Sequence, residues 1–441
     1  AKELTALARD GIAGNGRELW ATVTPDTPDD LHGRWNAEAR GTSAADDYRN
    51  APNTFGWIVE IDPFARTSIP RKRTAMGRFA HEGAVFAKPI PGKPIVVYSG
   101  DDSRGEYVYK FVSAEPWDPA DADPADRLAT GDKYLDHGRL YAARFDADGT
   151  GAWLELTFGD HGITPENAAY PFADQADVDL HTRLAADAAG ATKLDRPEWA
   201  AVDPVTGAVY LTLTNNSASG RSLAATDPAN PRHYDDPKGT SHQFGNPNGH
   251  VVRWLEPSPE ATTFEWDVYL FGAAADADPR NVNLSGLADD NDFSSPDGLW
   301  FSPATNVLWI QTDDGAYTDV TNCMLLAALP GAVGDGGPRT ITNTDATGAT
   351  KDVQTFAGAA PGARVKRFLV GPVGCEITGL AENGDGTALF VNIQHPGEDT
   401  PAAELANPAS TWPDRTTGGA PARPRSATLV ITRDDGGRIG V

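Results

Sequence analysis

The sequence is short of sulfur. Its 441 residues include only 2 cysteines and 2 methionines. Cys323 and Cys375 form no C-x-x-C pair, which argues against a thiolate zinc site. They allow one disulfide in an oxidising compartment or two buried free thiols, and the sequence leaves both open. Long apolar runs are also missing. Hydrophobic residues make up 40%, and no stretch approaches the roughly 20 residues of a membrane-spanning helix, so a soluble chain is expected. Positive charge is scarce, with 37 Lys and Arg against 62 Asp and Glu and a net charge of −25. A surface that negative repels nucleic acid and anionic membrane, and neither is expected as a partner. Most of the charge reads as a dispersed solubility surface, yet it also suits a protein that holds multivalent cations. No charged–apolar–small leader opens the chain, so any export signal is expected to have been removed or to lie outside it. No G-x-S-x-G elbow, Walker loop or H-E-x-x-H motif is present.

Helical periodicity is scarce too. One helix is expected over residues 177–189, stopped by Gly190. Elsewhere short β-rich runs end in Gly, Asp, Asn or Pro, as at 57–61, 95–98, 209–213, 251–255, 307–311, 389–393 and 428–432. The 45 glycines and 34 prolines are dispersed and mark many turns. Such a pattern means a sandwich, a barrel or a propeller.

Internal repeats decide among these. AHEGAVFAKPIPGKPIVVYSGDD starts at Ala80, RPEWAAVDPVTGAVYLTLTNN at Arg196, SPDGLWFSPATNVLWIQTDDG at Ser295 and GCEITGLAENGDGTALFVNIQHP at Gly374. Each has a carboxylate, a short strand, a turn, and a second strand with a polar end. The carboxylates are Glu82, Glu198, Asp297 and Glu376. The polar ends are Asp101 and Asp102, Asn215 and Asn216, Asp313 and Asp314, and Gln394 and His395. A partial fifth copy opens the chain, with Glu3 in the carboxylate position. The uneven intervals all exceed the roughly 40 to 50 residues of a blade. Each therefore holds one blade plus insertions, or parts of two; insertions are read at 116–132, 215–248 and 331–350. The expected fold is all-β, a single β-propeller domain over 1–441 with five to six blades and with loop and short-helix insertions. Its last strand, in SATLVITRDDGG, would close the ring by completing the first blade.

In a propeller the innermost strands line a central channel, so residues at one phase of the repeat share a ring. Converging carboxylates repel, and they persist only if cations fill the ring or some are protonated. Any one of them alone is more simply a turn former; four in phase favour metal. Oxygen donors with Asn and Asp nearby suit Ca²⁺ or another oxygen-loving cation. Arg196 and Glu198 stand two apart, on one side of an extended strand, where a guanidinium fork beside a metal ligand would bind a phosphoryl group. His395, at the ring mouth, is a candidate ligand or proton donor.

FGWIVEIDPF, RFAHEG, DRPEWAAVDPVTGAVYLTLTNN, GHVVRW, SPDGLWF, LWIQTDDG and GCEITG–FVNIQHPGE together resemble the PhoX-type bacterial alkaline phosphatases, over about residues 55–398. The resemblance implies an exported, periplasmic or secreted, six-bladed propeller with iron and calcium that hydrolyses small phosphate esters. It implies that Glu82, Arg196 and Glu198, with Asp292, Asp297 and Glu376, serve metals and phosphate. The family's iron centre also uses a cysteine and a glutamate N-terminal to these motifs, and that segment is not found. Either a first part precedes this chain or the protein is a divergent relative; the resemblance implies Ca²⁺ in both cases and Fe³⁺ where that segment is present. Two rivals stand beside this reading: a calcium-dependent propeller lactonase or phosphotriesterase, and a non-catalytic calcium-binding propeller.

Overall fold

Strand pairing builds four blade sheets among the described residues of this computed structural model, which are 2–12, 14–16, 18–24, 27, 30–313, 315–414 and 423–440. The first blade runs from His81–Phe86 through Pro94–Asp101 and Val108–Pro116 to Gly138–Phe145, antiparallel throughout. The second runs from Pro197–Val202 through Val209–Leu213 and His250–Leu255 to Thr263–Phe271. Thr150–Glu155 joins the two at their outer edges. The third comprises Pro296–Phe301, Leu308–Thr312, Met324–Ala328 and Val365–Val370. The fourth comprises Glu376–Glu382, Ala388–Gln394 and Ala427–Thr432. Each begins with one of the four repeats. The inner strands are neighbours: His81–Phe86 and Pro296–Phe301 pack on Pro197–Val202, and Glu376–Glu382 packs on Pro296–Phe301. The fold is the expected all-β propeller, and each interval between repeats holds one blade plus insertions.

Apolar layers between the blades fix their order. Tyr98, Trp153, Trp254 and Phe264 fill the first interface, Tyr210, Tyr269 and Ile310 the second, and Trp309, Ile377, Val391 and Ile393 the third. Buried apolar area of this kind supplies about 25 cal/mol per Å². Helices Gln175–Leu180 and Thr182–Ala189 cover the outer face of the first blade. Asp174 caps the first by accepting from Asp177 N at 2.9 Å, and Gly190 ends the second at φ 77°. The single expected helix is thus two, divided at His181.

Other expectations change. Lys2–Arg9 is a helix, not a fifth repeat; Ala6 and Leu7 are buried, and Arg9 bridges Glu106 and Asp187. The Glu3 side chain and Asp314 lie outside the described residues. The last strand pairs with Ala388–Gln394, its immediate predecessor, rather than with the first blade, and turns Leu429 and Ile431 onto the third interface. Neither cysteine is in a disulfide, and both side chains lie in that same layer. Residues 57–61 contribute only Val59–Glu60. The insertions carry helix Arg127–Leu135, a small sheet of Asn216–Ser217, Tyr234–Asp235 and Phe244–Asn246, and the hairpin Gly337–Thr344 and Thr350–Ala357. No helix among the described residues is long and apolar enough to cross a membrane.

Close approach at Gly100 sets how tightly the first two blades meet. A Cβ there would lie 2.2 Å from Glu198 O and 2.6 Å from Pro197 O. Gly100→Ala is expected to cost about 1–3 kcal/mol, the usual overpacking penalty, and to displace Glu198. Urea unfolding checks this, and an unchanged midpoint would mean the strands do not meet there.

Candidate active site and metal centre

Every inner strand is bulged at or just beyond its carboxylate. The register shifts fall between Glu82 and Val85, Pro197 and Ala200, Pro296 and Leu299, and Thr378 and Leu380. A bulge re-aims side chains and sharpens the local twist. A second irregularity recurs alongside. Arg196, Ser295 and His395 have φ of 57°, 51° and 36°, and each precedes a proline. Left-handed backbone is rare for such residues and costs about 1–3 kcal/mol where it persists. These bends place Arg196 outside the strand proper. It meets Glu198 through this kink, not through the alternation of an extended strand.

Glu82, Asp102 and Glu198 each bring an oxygen within 4.8 Å of the others. Arg196 spans two of them: Nε and Nη2 donate to the two oxygens of Asp102 at 2.8 and 3.1 Å, and Nη2 lies 2.8 Å from Glu198 Oε1. The Glu198 contact is ionic without hydrogen-bond alignment, so Oε1 is buried with no hydrogen-bond partner. Trp199 Nε1 donates to Glu82 Oε1 at 2.9 Å. Arg196 is held from behind. Its neighbour Asp195 is fully buried and accepts from Arg221 at 2.7 and 2.5 Å, from Asn216 at 2.8 Å and from Asn246 at 3.1 Å.

Asp297 and Glu376 join the same electrostatic group. Burial, then the charges of Glu376, Asp313 and Glu82, pushes Asp297 well above the usual carboxylate range. Burial, then Asp297 and Asp102, pushes Glu198 up as well. Glu376 rises to about 7 through burial and Asp313. Gln394 Nε2 donates to Glu376 Oε2 at 2.9 Å, and His395 Nε2 lies 3.5 Å from it. His395 Nδ1 lies 3.4 Å from Glu398. The structure therefore brings together Glu82, Glu198 and Arg196, with Asp297, Glu376 and His395 around them.

Asp292 is not brought to the cluster. Its carboxylate accepts from the Tyr317 hydroxyl and from Arg367 Nη2, the latter at 2.5 Å, so its oxygens already have partners away from the cluster. Sequence reasoning missed Asp102 and Asp313 as site residues. Their signal was present, since each ends the second strand of a repeat. Asp101 beside Asp102 turns the other way and is buried against Arg183.

The cluster suits a hard cation. An orphaned buried carboxylate oxygen, two further carboxylates within reach and an all-oxygen donor set match Ca²⁺ or a similar ion. Neither thiol belongs to it: both lie in the apolar layer, and burial pushes Cys375 up to about 12.

Bulged blades that gather carboxylates around one arginine define a propeller with an acidic cluster able to hold a metal ion. The profile of the family described as Alkaline phosphatase PhoX matches residues 21–397, and this chain belongs to that family. Among solved structures it is similar to Pseudomonas fluorescens PhoX in complex with vanadate, a transition state analogue. The identity is 34% and the TM-score 0.71, over 99% of this chain and 64% of that one. The chain thus spans about two thirds of the length of that relative. No curated protein matches it.

The raised carboxyls fix a pH signature for metal-free protein. A carboxyl whose folded pKa exceeds its unfolded value stabilises at low pH and loses that contribution as pH rises through the folded value. In EGTA, Tm is expected to fall between about pH 5 and pH 8, the window of Glu376. Saturating Ca²⁺ should flatten that fall, because cations then replace protons. Differential scanning fluorimetry reads both arms; a flat profile in EGTA would contradict the coupling.

Proposed function

We propose that this chain is the catalytic body of a metal-dependent phosphomonoesterase that releases phosphate from small phosphate esters. The observation that carries the reading is the Arg196 guanidinium set between Asp102 and Glu198, with Glu82 completing a three-carboxylate site. Family membership and the vanadate complex of the relative support it, since vanadate mimics a phosphoryl group in flight. We assign Ca²⁺ to the site from its oxygen donors, with Fe³⁺ as the second cation that the family resemblance brings. The same resemblance places the protein in the periplasm or outside the cell, which fractionation tests.

A metal bound there would supply Lewis-acid polarisation and charge neutralisation at the phosphoryl oxygens. Glu82, Asp102 and Glu198 would hold it, with Asp297 and Glu376 as outer charge. Arg196 uses Nε and Nη2 to fix Asp102, which leaves Nη1 without a hydrogen bond among the described residues and ready for a phosphoryl oxygen. His395, between Glu376 and Glu398, is the side chain we assign as proton donor to the departing alcohol.

Phosphate release from p-nitrophenyl phosphate by metal-loaded protein tests the activity. Arg196→Lys keeps the charge and loses both the Asp102 clamp and the Nη1 donor. Its kcat/KM is expected to fall about 10²-fold or more, comparable to losing a preorganised oxyanion donor. Glu198→Gln should lose metal as well as rate, by elemental analysis. Near-normal kinetics for Arg196→Lys with metal intact would reduce Arg196 to an ion-pair partner.

A further inference from the structure

Arg104 stands two residues beyond Asp102, and its backbone pairs with Asp195, next to Arg196. The short strand Arg104–Glu106 is therefore flanked by both halves of the phosphoryl site. Arg104 is an exposed cation in a chain of net charge −25. Among the described residues no carboxylate lies within ion-pair distance of it, and its one hydrogen bond runs from Nη2 to Asn215 Oδ1 at 3.2 Å. Asn215 in turn reaches Ser295 Oγ at 3.5 Å, at the strained entry to the third blade. The guanidinium is thus steered by an amide and keeps Nε and Nη1 for something else. Desolvation and the nearby Arg196 both act against its charge.

Arg104 also lines a cavity of about 430 Å³ whose walls include Asn215, Ser217, Ser219, His242 and Gln243. That lining offers hydroxyls, amides and one imidazole, donors and acceptors suited to a polyhydroxylated group. Phe244 and Pro247 join the lining and give the carbon chain of such a group an apolar wall. Two strand residues span about 7 Å, so an anion on Arg104 would sit a few bonds from a phosphoryl group held at Asp102 and Arg196.

Resting on the phosphomonoesterase reading, we propose that Arg104 and this cavity form a leaving-group subsite for organic phosphates bearing a second phosphate on a sugar-like carbon chain. Arg104 binds the distal phosphate, and the Asn, Ser and Gln side chains bind the hydroxyls between. It is a specificity residue and takes no part in bond breaking. A phosphate monoester with a neutral leaving group does not use it.

The test compares fructose 1,6-bisphosphate with fructose 6-phosphate on the metal-loaded protein and its Arg104→Gln and Arg104→Lys variants, with 3-phosphoglycerate as a carboxylate arm. Arg104→Gln is expected to lower kcat/KM for the bisphosphate about tenfold or more, through KM, and to change fructose 6-phosphate less than about twofold. Arg104→Lys should recover part of the loss. A comparable loss on 3-phosphoglycerate would widen the subsite to any second anion and overturn its selectivity for phosphate. Equal losses on both fructose phosphates would place Arg104 in the reaction centre, and no loss on either would leave it a surface residue; each result overturns the proposal. Should the wild-type protein hydrolyse neither ester, the phosphomonoesterase reading fails by itself. Calorimetric binding of the two intact fructose phosphates then reads the subsite: a preference for the bisphosphate that Arg104→Gln abolishes upholds it, and no preference overturns it.

Discussion

Repulsion among carboxylates gathered at the inner ends of the blades is the constraint on which the rest of the structure depends. Glu82, Asp102 and Glu198 stand within 4.8 Å of one another. At an effective dielectric of 20, each ionised pair at that range costs about 3–4 kcal/mol. Asp297 and Glu376 add to the field from the third and fourth blades. Arg196 touches two of the three, Asp102 and Glu198, and one guanidinium cannot neutralise three carboxylates. Protons or metal ions must supply the remainder.

Much of the local irregularity serves to hold that unfavourable group in place. The four bulges, the three left-handed residues before prolines and the bare approach at Gly100 each break a rule that the surrounding strands obey. Rule breaking confined to a functional site is the expected pattern in a foldable sequence. The apolar layers between blades, with Trp254 and Trp309 fully buried, offset the strain. Asp195 shows the same division of labour. Its four hydrogen bonds bury a charge at no electrostatic deficit, and that fixes the peptide from which Arg196 turns toward Asp102.

Phase was the legible part of the site. Glu82, Glu198, Asp297 and Glu376 could be aligned because a repeated strand–turn–strand unit puts equivalent residues on one ring, and the same repeats marked the inner strand of each blade. Asp102 was visible as a strand end, but nothing in the sequence says that it faces the channel while Asp101 faces Arg183. That choice is made by the Arg196 kink and the register of the first blade. Asp292 went the other way. Its motif fits a ligand, and its partners Arg367 and Tyr317 come from separate strands and loops that no local pattern links to it. The C-terminal strand was read as a ring closure because its alternation fits any open sheet edge; the hairpin partner just upstream in the chain took it instead.

A cation-filled ring has one consequence that a merely acidic surface lacks. Burial and mutual repulsion raise Glu198, Asp297 and Glu376, so an entering cation displaces protons, directly at Glu198 as a ligand and through its field at Asp297 and Glu376. Isothermal titration of Ca²⁺ into chelator-stripped protein at pH 6, in two buffers of different ionisation enthalpy, measures this directly. The account predicts saturable binding with net proton release, seen as a buffer-dependent heat. No binding, or binding whose heat is the same in both buffers, would contradict it.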